Sequence, residues 1–224
     1  MQGRLVGKRI VVTDAEDFMG PAITSLFAEE GADVVADKRD LRPGAAADEL
    51  ISEAGRVDVL IANLSITNPR ALAHETSDAQ WAEVFDRLVH PLHRLCRAVL
   101  PQMIERRSGK IVVVGSAAAL RGTPRCSCYG AARGAQHAYV RSLGVEVAPH
   151  NVQVNATGQI FVENPTYFPP SVIGSPELKA RLLDVPAGRL ATGREAAAFI
   201  LFLASAESDF FCGQIFPYAG GWVV

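Results

Sequence analysis

The sequence predicts an α/β protein with a doubly wound parallel sheet, and three observations carry that expectation. Short β-branched runs, such as RIVVT at 9–13 and KIVVVG at 110–115, read as strands buried on both faces. Segments with apolar residues at helical spacing lie between them, as in PAITSLFAEE at 21–30. The two patterns keep alternating along the chain, as βαβ units do.

Taken in order, the first strand is expected at Arg9 to Thr13 and a helix at Pro21 to Glu30, stopped by Gly31 before a second strand at Asp33 to Ala36. A short helix around Ala45 to Glu53 leads to a strand at Val57 to Ala62. The periodic stretch from about Asp78 to Arg106 reads as one long crossover helix, bent or divided at Pro91 and Pro101. After the strand ending at Gly115 come a second long helix from Tyr129 to Pro149 and a strand at Val152 to Ala156. Residues Thr157 to Leu183 hold Asn164, Pro165, Pro169, Pro170 and Gly174 and read as an irregular substrate loop. A helix from Gly193 to Ser205 and a strand at Gly213 to Tyr218 complete the pattern. No linker or repeat interrupts it, so residues 1–224 are expected to form one domain.

Composition narrows the partners. Twenty-two Lys and Arg against 24 Asp and Glu give a formal charge of −2, which supplies no field for nucleic acid. Cys96, Cys126, Cys128 and Cys212 form neither a CxxC pair nor a metal-ligand spacing, so no metal is expected. No apolar run reaches the roughly 20 residues of a membrane span, and the first strand follows Met1 too closely for a signal peptide. The expectation is a cytoplasmic protein acting on a small molecule.

In such a sheet ligands bind outside the carboxyl ends of the strands. The first strand leads into Thr13-Asp14-Ala15-Glu16-Asp17-Phe18-Met19-Gly20, a loop that should be glycine-rich if a dinucleotide pyrophosphate is to approach the helix N-terminus. Only Gly20 survives of the pattern T-G-x-x-x-G-x-G that marks the Rossmann-like fold of short-chain dehydrogenases, which this stretch resembles in position. Asp14 and Phe18 stand at the missing glycines. Asp14, Glu16 and Asp17 bring carboxylates toward the phosphates, and Phe18 fills space the backbone would need. Between Ala36 and Val57 there is room for one short helix, so the adenine wall is also expected to be missing. Asp37 then reads as a strand-end residue, and no cofactor is expected.

A second constellation begins at Ser116, at a strand's carboxyl end. Tyr129 and Arg133 lie four apart on one helix and share a face. The spacing S-x12-Y-x3-R resembles the Ser-Tyr-Lys set of short-chain dehydrogenases, with arginine for lysine. Arginine stays charged across the working pH range and, beside a phenol, favours the phenolate, which readies Tyr129 as a general base.

Together T-x4-F-x-G and S-x12-Y-x3-R resemble the halohydrin dehalogenases, and the likeness extends from the GRLVGK opening to the GGW near the end. The resemblance implies cofactor-free conversion of a vicinal haloalcohol to an epoxide and halide, with Ser116, Tyr129 and Arg133 catalytic. It implies a halide site against Phe18 and the amides of Gln159, Ile160, Phe161 and Val162, although many relatives carry Pro-Asn where this chain has Gln159 and Ile160. Tyr167 and Phe168 would line the pocket and Trp222 would close it. Epoxide opening by small anions and a homotetramer are further implications. Two alternatives remain: a nicotinamide-dependent short-chain oxidoreductase with unusual motifs, and an inactive member of the fold serving as an interaction protein.

Overall fold

The computed structural model describes residues 3–224. Its frame is a six-stranded sheet, β1 (Arg9–Val12), β2 (Asp33–Ala36), β3 (Val59–Ala62), β4 (Gly109–Val114), β5 (Val152–Gln159) and β6 (Ile215–Tyr218). The order is β2-β1-β3-β4-β5-β6 with every pairing parallel. Crossover helices must therefore cover both faces. They are α1 (Gly20–Glu29), α2 (Ala46–Ala54), α3 (Asp78–Leu88), α4 (His90–Arg106), α5 (Ser127–Val147), α6 (Pro176–Leu182) and α7 (Gly193–Ala204).

The strand pleat sorts the core into two layers. Val11, Leu60, Ile111, Val113 and Val154 turn to one face, where they meet residues of α2, α4 and α5. Ile10, Val12, Ile61, Val112 and Val114 turn to the other, against α1 and α7. Because side chains alternate along a strand, adjacent residues serve opposite layers, and a one-residue slip would exchange the two. Each buried Leu, Ile or Phe contributes about 1.5–3 kcal/mol, so the register is strongly specified.

The stretch 78–106 is divided near Pro91, one of the two places expected: Pro91 lies in the first turn of α4, where its missing N–H costs nothing, and the chain turns at Val89, whereas Pro101 stays inside α4. Two sequence expectations need correction. β5 does not stop at Ala156. It runs to Gln159, because Ala156 to Gln159 pair with Ile215 to Tyr218, and the polar residues that obscured this strand are held by its neighbours. The stretch 157–183 is also less irregular than expected. Ser175 accepts a hydrogen bond from the Leu178 amide and Pro176 follows it, a capped start for α6.

Helix α5 carries Tyr129, Arg133 and His137 at four-residue intervals, and it rides close to the sheet because glycines remove obstruction. A Cβ on Gly144 would lie 2.3 Å from the Gly213 nitrogen, and one on Gly115 would lie 2.7 Å from Nε2 of His137. His137 is 2% exposed, and neither ring nitrogen has a hydrogen-bond partner among the described residues. Burial first, then the charges of Arg133 and Arg141, lower its pKa from 6.5 to about 4. The unfolded chain therefore takes up the proton first as pH falls, so this stability is complete above pH 6.5 and is lost toward pH 4. His137→Leu should remove about 2 kcal/mol of the difference in unfolding free energy between pH 7.5 and pH 5. Urea unfolding of both proteins at the two pH values measures it, and equal pH dependence would show that His137 is not buried as a neutral ring.

Candidate active site

The loop after β1 follows a glycine path without the glycines. Asp14 has φ 44° and Phe18 φ 50°, left-handed conformations that side chains enter at a cost. Asn63, at the carboxyl end of β3, holds the loop in place. Its Oδ1 accepts from the Met19 amide at 3.3 Å, and its Nδ2 is shared among the carbonyls of Thr13, Asp14 and Asp17 at 3.0–3.2 Å. The one retained glycine is sterically required, since a Cβ on Gly20 would lie 2.4 Å from the Asp14 carbonyl oxygen.

Most amides of this loop, those of Asp14 and Glu16 excepted, are already in use. Ala15 donates to the Asp37 carbonyl, Asp17 to that of Asp14, Gly20 to that of Asp17, Phe18 to Thr166 Oγ1 and Met19 to Asn63. Pro21 has no N–H to offer. The Asp14 carboxylate accepts from the Ser65 amide and hydroxyl; burial raises its pKa, opposed by those hydrogen bonds. Asp37 is more than a strand end: it is buried, and it pairs with Arg39 at 2.6 Å. Only α2 lies between β2 and β3, as the short spacing predicted.

Arg133 has no exposed surface. Its Nε donates to the Tyr129 hydroxyl at 3.0 Å, Nη1 to Val114 O and Gln136 Oε1, and Nη2 to Leu64 O. None of the four acceptors is a carboxylate. Burial alone would lower the pKa of the guanidinium, but the phenols of Tyr129 and Tyr167 offset that and hold it raised. Tyr167 reaches the same cluster from the loop after β5, donating its hydroxyl to the Ile66 carbonyl at 2.9 Å. Burial, then the neighbouring Tyr129, keeps the Tyr167 phenol well above its usual pKa range. Of the two phenols, Tyr167 is the one fixed as a donor. Ser116 lies where β4 ends, with its Oγ accepting from the Ala118 amide at 3.2 Å.

These groups border a cavity of about 290 Å³. Ser116, Tyr129 and Phe18 line it, together with Gln159 to Val162, Tyr167 and Phe168. The structure thus brings together residues from the segments after β1 and β4, from α5, and from the end of β5 and the loop that follows it. Arg133 stands behind Tyr129 rather than in the wall. Phe18 is also a core residue, 5% exposed, with its ring edge-on to Tyr167 at 5.2 Å and 5.8 Å from the Arg133 guanidinium carbon.

One expected wall residue is displaced and one expected donor is engaged elsewhere. Trp222 does not line this cavity; its ring packs edge-on against Phe161, under the Arg121 guanidinium, so it backs the wall. The amide of Ile160 is spent on the Tyr218 carbonyl, because β5 continues its pairing with β6. The amides of Phe161 and Val162 have no acceptor among the described residues, and Phe161 sits at φ 57° between them and the strand. Successive amides around a left-handed residue form a concavity suited to an anion. Residues that sequence reasoning missed are Asn68, Arg70, Cys126 and Arg181. They come from the segments after β3, before α5 and in α6, and no local motif marks them.

Among the described residues no group of three metal-ligating side chains occurs, all four cysteines are free, and no helix is long and apolar enough to cross a membrane.

Comparison with known proteins adds two kinds of likeness. The chain is 29% identical to the 3-oxoacyl-[acyl-carrier-protein] reductase of Vibrio harveyi, over 97% of this chain and 98% of that protein. It is 31% identical to the reductase of the same name from Chlamydia muridarum, over 99% of each. Among solved structures, a dehalogenation enzyme superposes with TM-score 0.91 at 31% identity, over 98% of this chain and 100% of that one. A halohydrin dehalogenase bound to ethyl (2S)-oxiran-2-ylacetate superposes with TM-score 0.89 at 25% identity, over 97% and 98%. The profile of the enoyl-(acyl carrier protein) reductase family matches residues 7–223. With that match over nearly its whole length and a six-stranded parallel sheet of this topology, the chain belongs to the short-chain dehydrogenase/reductase family.

Proposed function

We propose that this protein is a cofactor-independent halohydrin dehalogenase, converting vicinal haloalcohols to epoxides with release of halide and catalysing the reverse opening of epoxides by small anions. The observation that carries this reading is the filled phosphate loop. A dinucleotide at the usual place would find most of the loop's amides already bonded within the protein, and it would displace the buried Phe18 ring and meet the carboxylates of Asp14 and Asp17. The residues present do not fit the cofactor, so no step is routed through it.

What remains can do redox-neutral chemistry. Arg133 presents its Nε to the Tyr129 oxygen at 3.0 Å, and Tyr129 is the base that takes the substrate hydroxyl proton. Ser116 is placed to donate to the resulting alkoxide. The alkoxide oxygen attacks the adjacent carbon, the C–O bond of the epoxide forms, and the carbon–halogen bond breaks with its electron pair leaving on the halide. The free amides of Phe161 and Val162 would receive that anion. Likeness to the two dehalogenating structures supports the same reading. The sequence likeness to 3-oxoacyl-[acyl-carrier-protein] reductases favours a second one, an NAD(P)-dependent oxidoreductase.

Chloride and proton release from 1,3-dichloro-2-propanol without added nucleotide separates these readings: the dehalogenase turns over, the reductase does not. In that assay Tyr129→Phe should lower kcat by a factor of about 10²–10⁴, the range for a general base, while circular dichroism shows the fold intact. Activity within a few fold of wild type would assign the base elsewhere. Calorimetry with NADH and NADPH should show no binding, and micromolar affinity for either would overturn the reading. Bromide should inhibit ring closure as a product; a rate indifferent to bromide would remove the amides of Phe161 and Val162 as the halide site.

A further inference from the structure

The mouth of the cavity holds a feature the proposed reaction does not use. Arg181, on α6, lays its guanidinium over the rings of Phe161 and Phe168, 5.4 Å and 5.8 Å from their centroids. Arg70, in the segment after β3, lines the same cavity. Several exposed arginines elsewhere meet carboxylates, as Arg42 meets Asp40, Arg189 meets Glu195 and Arg194 meets Glu29, and others meet carbonyls or stand alone; what sets Arg70 and Arg181 apart is that both border the same cavity. Neither Arg70 nor Arg181 has an ion-pair or hydrogen-bond partner among the described residues. They also feel one another: burial first, and then the charge of Arg70, lower the pKa of Arg181.

Two like charges held at one opening, one of them fixed by aromatic faces, are repulsive until an anion arrives between them. The polar groups beside them are similarly unsatisfied. Asn68 donates from Nδ2 to Cys126 Sγ at 3.2 Å, while its Oδ1 is buried without a partner. A guanidinium presents paired N–H donors that match the two oxygens of a carboxylate. A departing halide has its own neutral donors at Phe161 and Val162, so the mouth is suited to a different anion.

We propose that Arg70 and Arg181 form a carboxylate-binding subsite, so that the preferred substrate is a haloalcohol or epoxide carrying a carboxylate at the end away from the reacting carbons. The inference rests on this cavity being the dehalogenase substrate pocket. A neutral chain end leaves the repulsion between the arginines in place, whereas a carboxylate relieves it and gains charge-assisted hydrogen bonds. The subsite therefore acts on specificity, while Ser116, Tyr129 and Arg133 act on the chemistry.

The test compares 4-chloro-3-hydroxybutanoate with its ethyl ester in wild type, Arg70→Gln and Arg181→Gln. Wild type should favour the acid in kcat/KM, and each substitution should lower the acid-to-ester ratio by about ten- to a hundredfold, the value of a charge-assisted hydrogen bond. The bromide inhibition constant, measured in the same three proteins, should move far less. A wild-type preference for the ester, an acid-to-ester ratio that both variants leave unchanged, or bromide inhibition that weakens as much as the ratio would overturn the proposal, the last by assigning the arginines to the free halide. Calorimetric binding of 3-hydroxybutanoate against its ethyl ester reads the subsite without turnover. Acid-selective binding with no halide released from any substrate would refute the dehalogenase reading alone, and halide release with no acid selectivity would refute the subsite alone.

Discussion

Arg133 is a fully buried guanidinium whose four hydrogen bonds reach no carboxylate, and much of the site is arranged by that one charge. Moving an unpaired ion out of water costs several kcal/mol even after relaxation, so the surroundings must return most of it through hydrogen bonds and through any negative charge they allow nearby. The carbonyls of Val114 and Leu64 are ends of the strand region that the sheet fixes rigidly, and Gln136 is held in turn by the Leu88 carbonyl. The cation is thus anchored to two strand ends and a helix. Its remaining demand falls on the phenols of Tyr129 and Tyr167, both of which line the cavity, and Tyr129 accepts directly from its Nε.

The same charge explains why the loop after β1 can look as it does. In a dinucleotide-binding relative that loop exposes amides to a pyrophosphate. Here Thr166 and Asn63 take those amides, and Phe18 turns its ring toward Tyr167 and Arg133. The left-handed backbone at Asp14 and Phe18 preserves the turn needed to enter α1, and packing supports the strain. The aromatic ring of Phe18 covers the guanidinium and walls the cavity.

Electrostatics divide the cavity into two ends. The buried end holds a cation shielded by hydrogen bonds and directed at the reacting oxygen, whereas the open end holds Arg70 and Arg181 without partners. Fields from unpaired charges in a partly enclosed pocket are screened little and draw anions inward. The proposed reaction, with an anion as product in one direction and nucleophile in the other, and the proposed carboxylate subsite would both use this field.

Much of this was legible in the sequence. Strand and helix alternation follows from local periodicity, which is why five of the strands and the long α5 appear in their places, and the S-x12-Y-x3-R spacing lies on one helix next to one strand end, so local geometry alone joins its members. The loss of glycine at Asp14 and Phe18 could be read directly, because phosphate binding depends on that loop's own backbone. Other features depended on contacts between distant segments. The extent of β5 was decided by β6, through pairing that its polar residues did not announce. The fate of the Ile160 amide, the retreat of Trp222 behind Phe161 and the place of Phe18 in the core all followed from which neighbours arrived. Arg70 and Arg181 are separated by 111 positions and carry no motif; only folding brings two ordinary surface residues to one opening, where proximity turns them into a site.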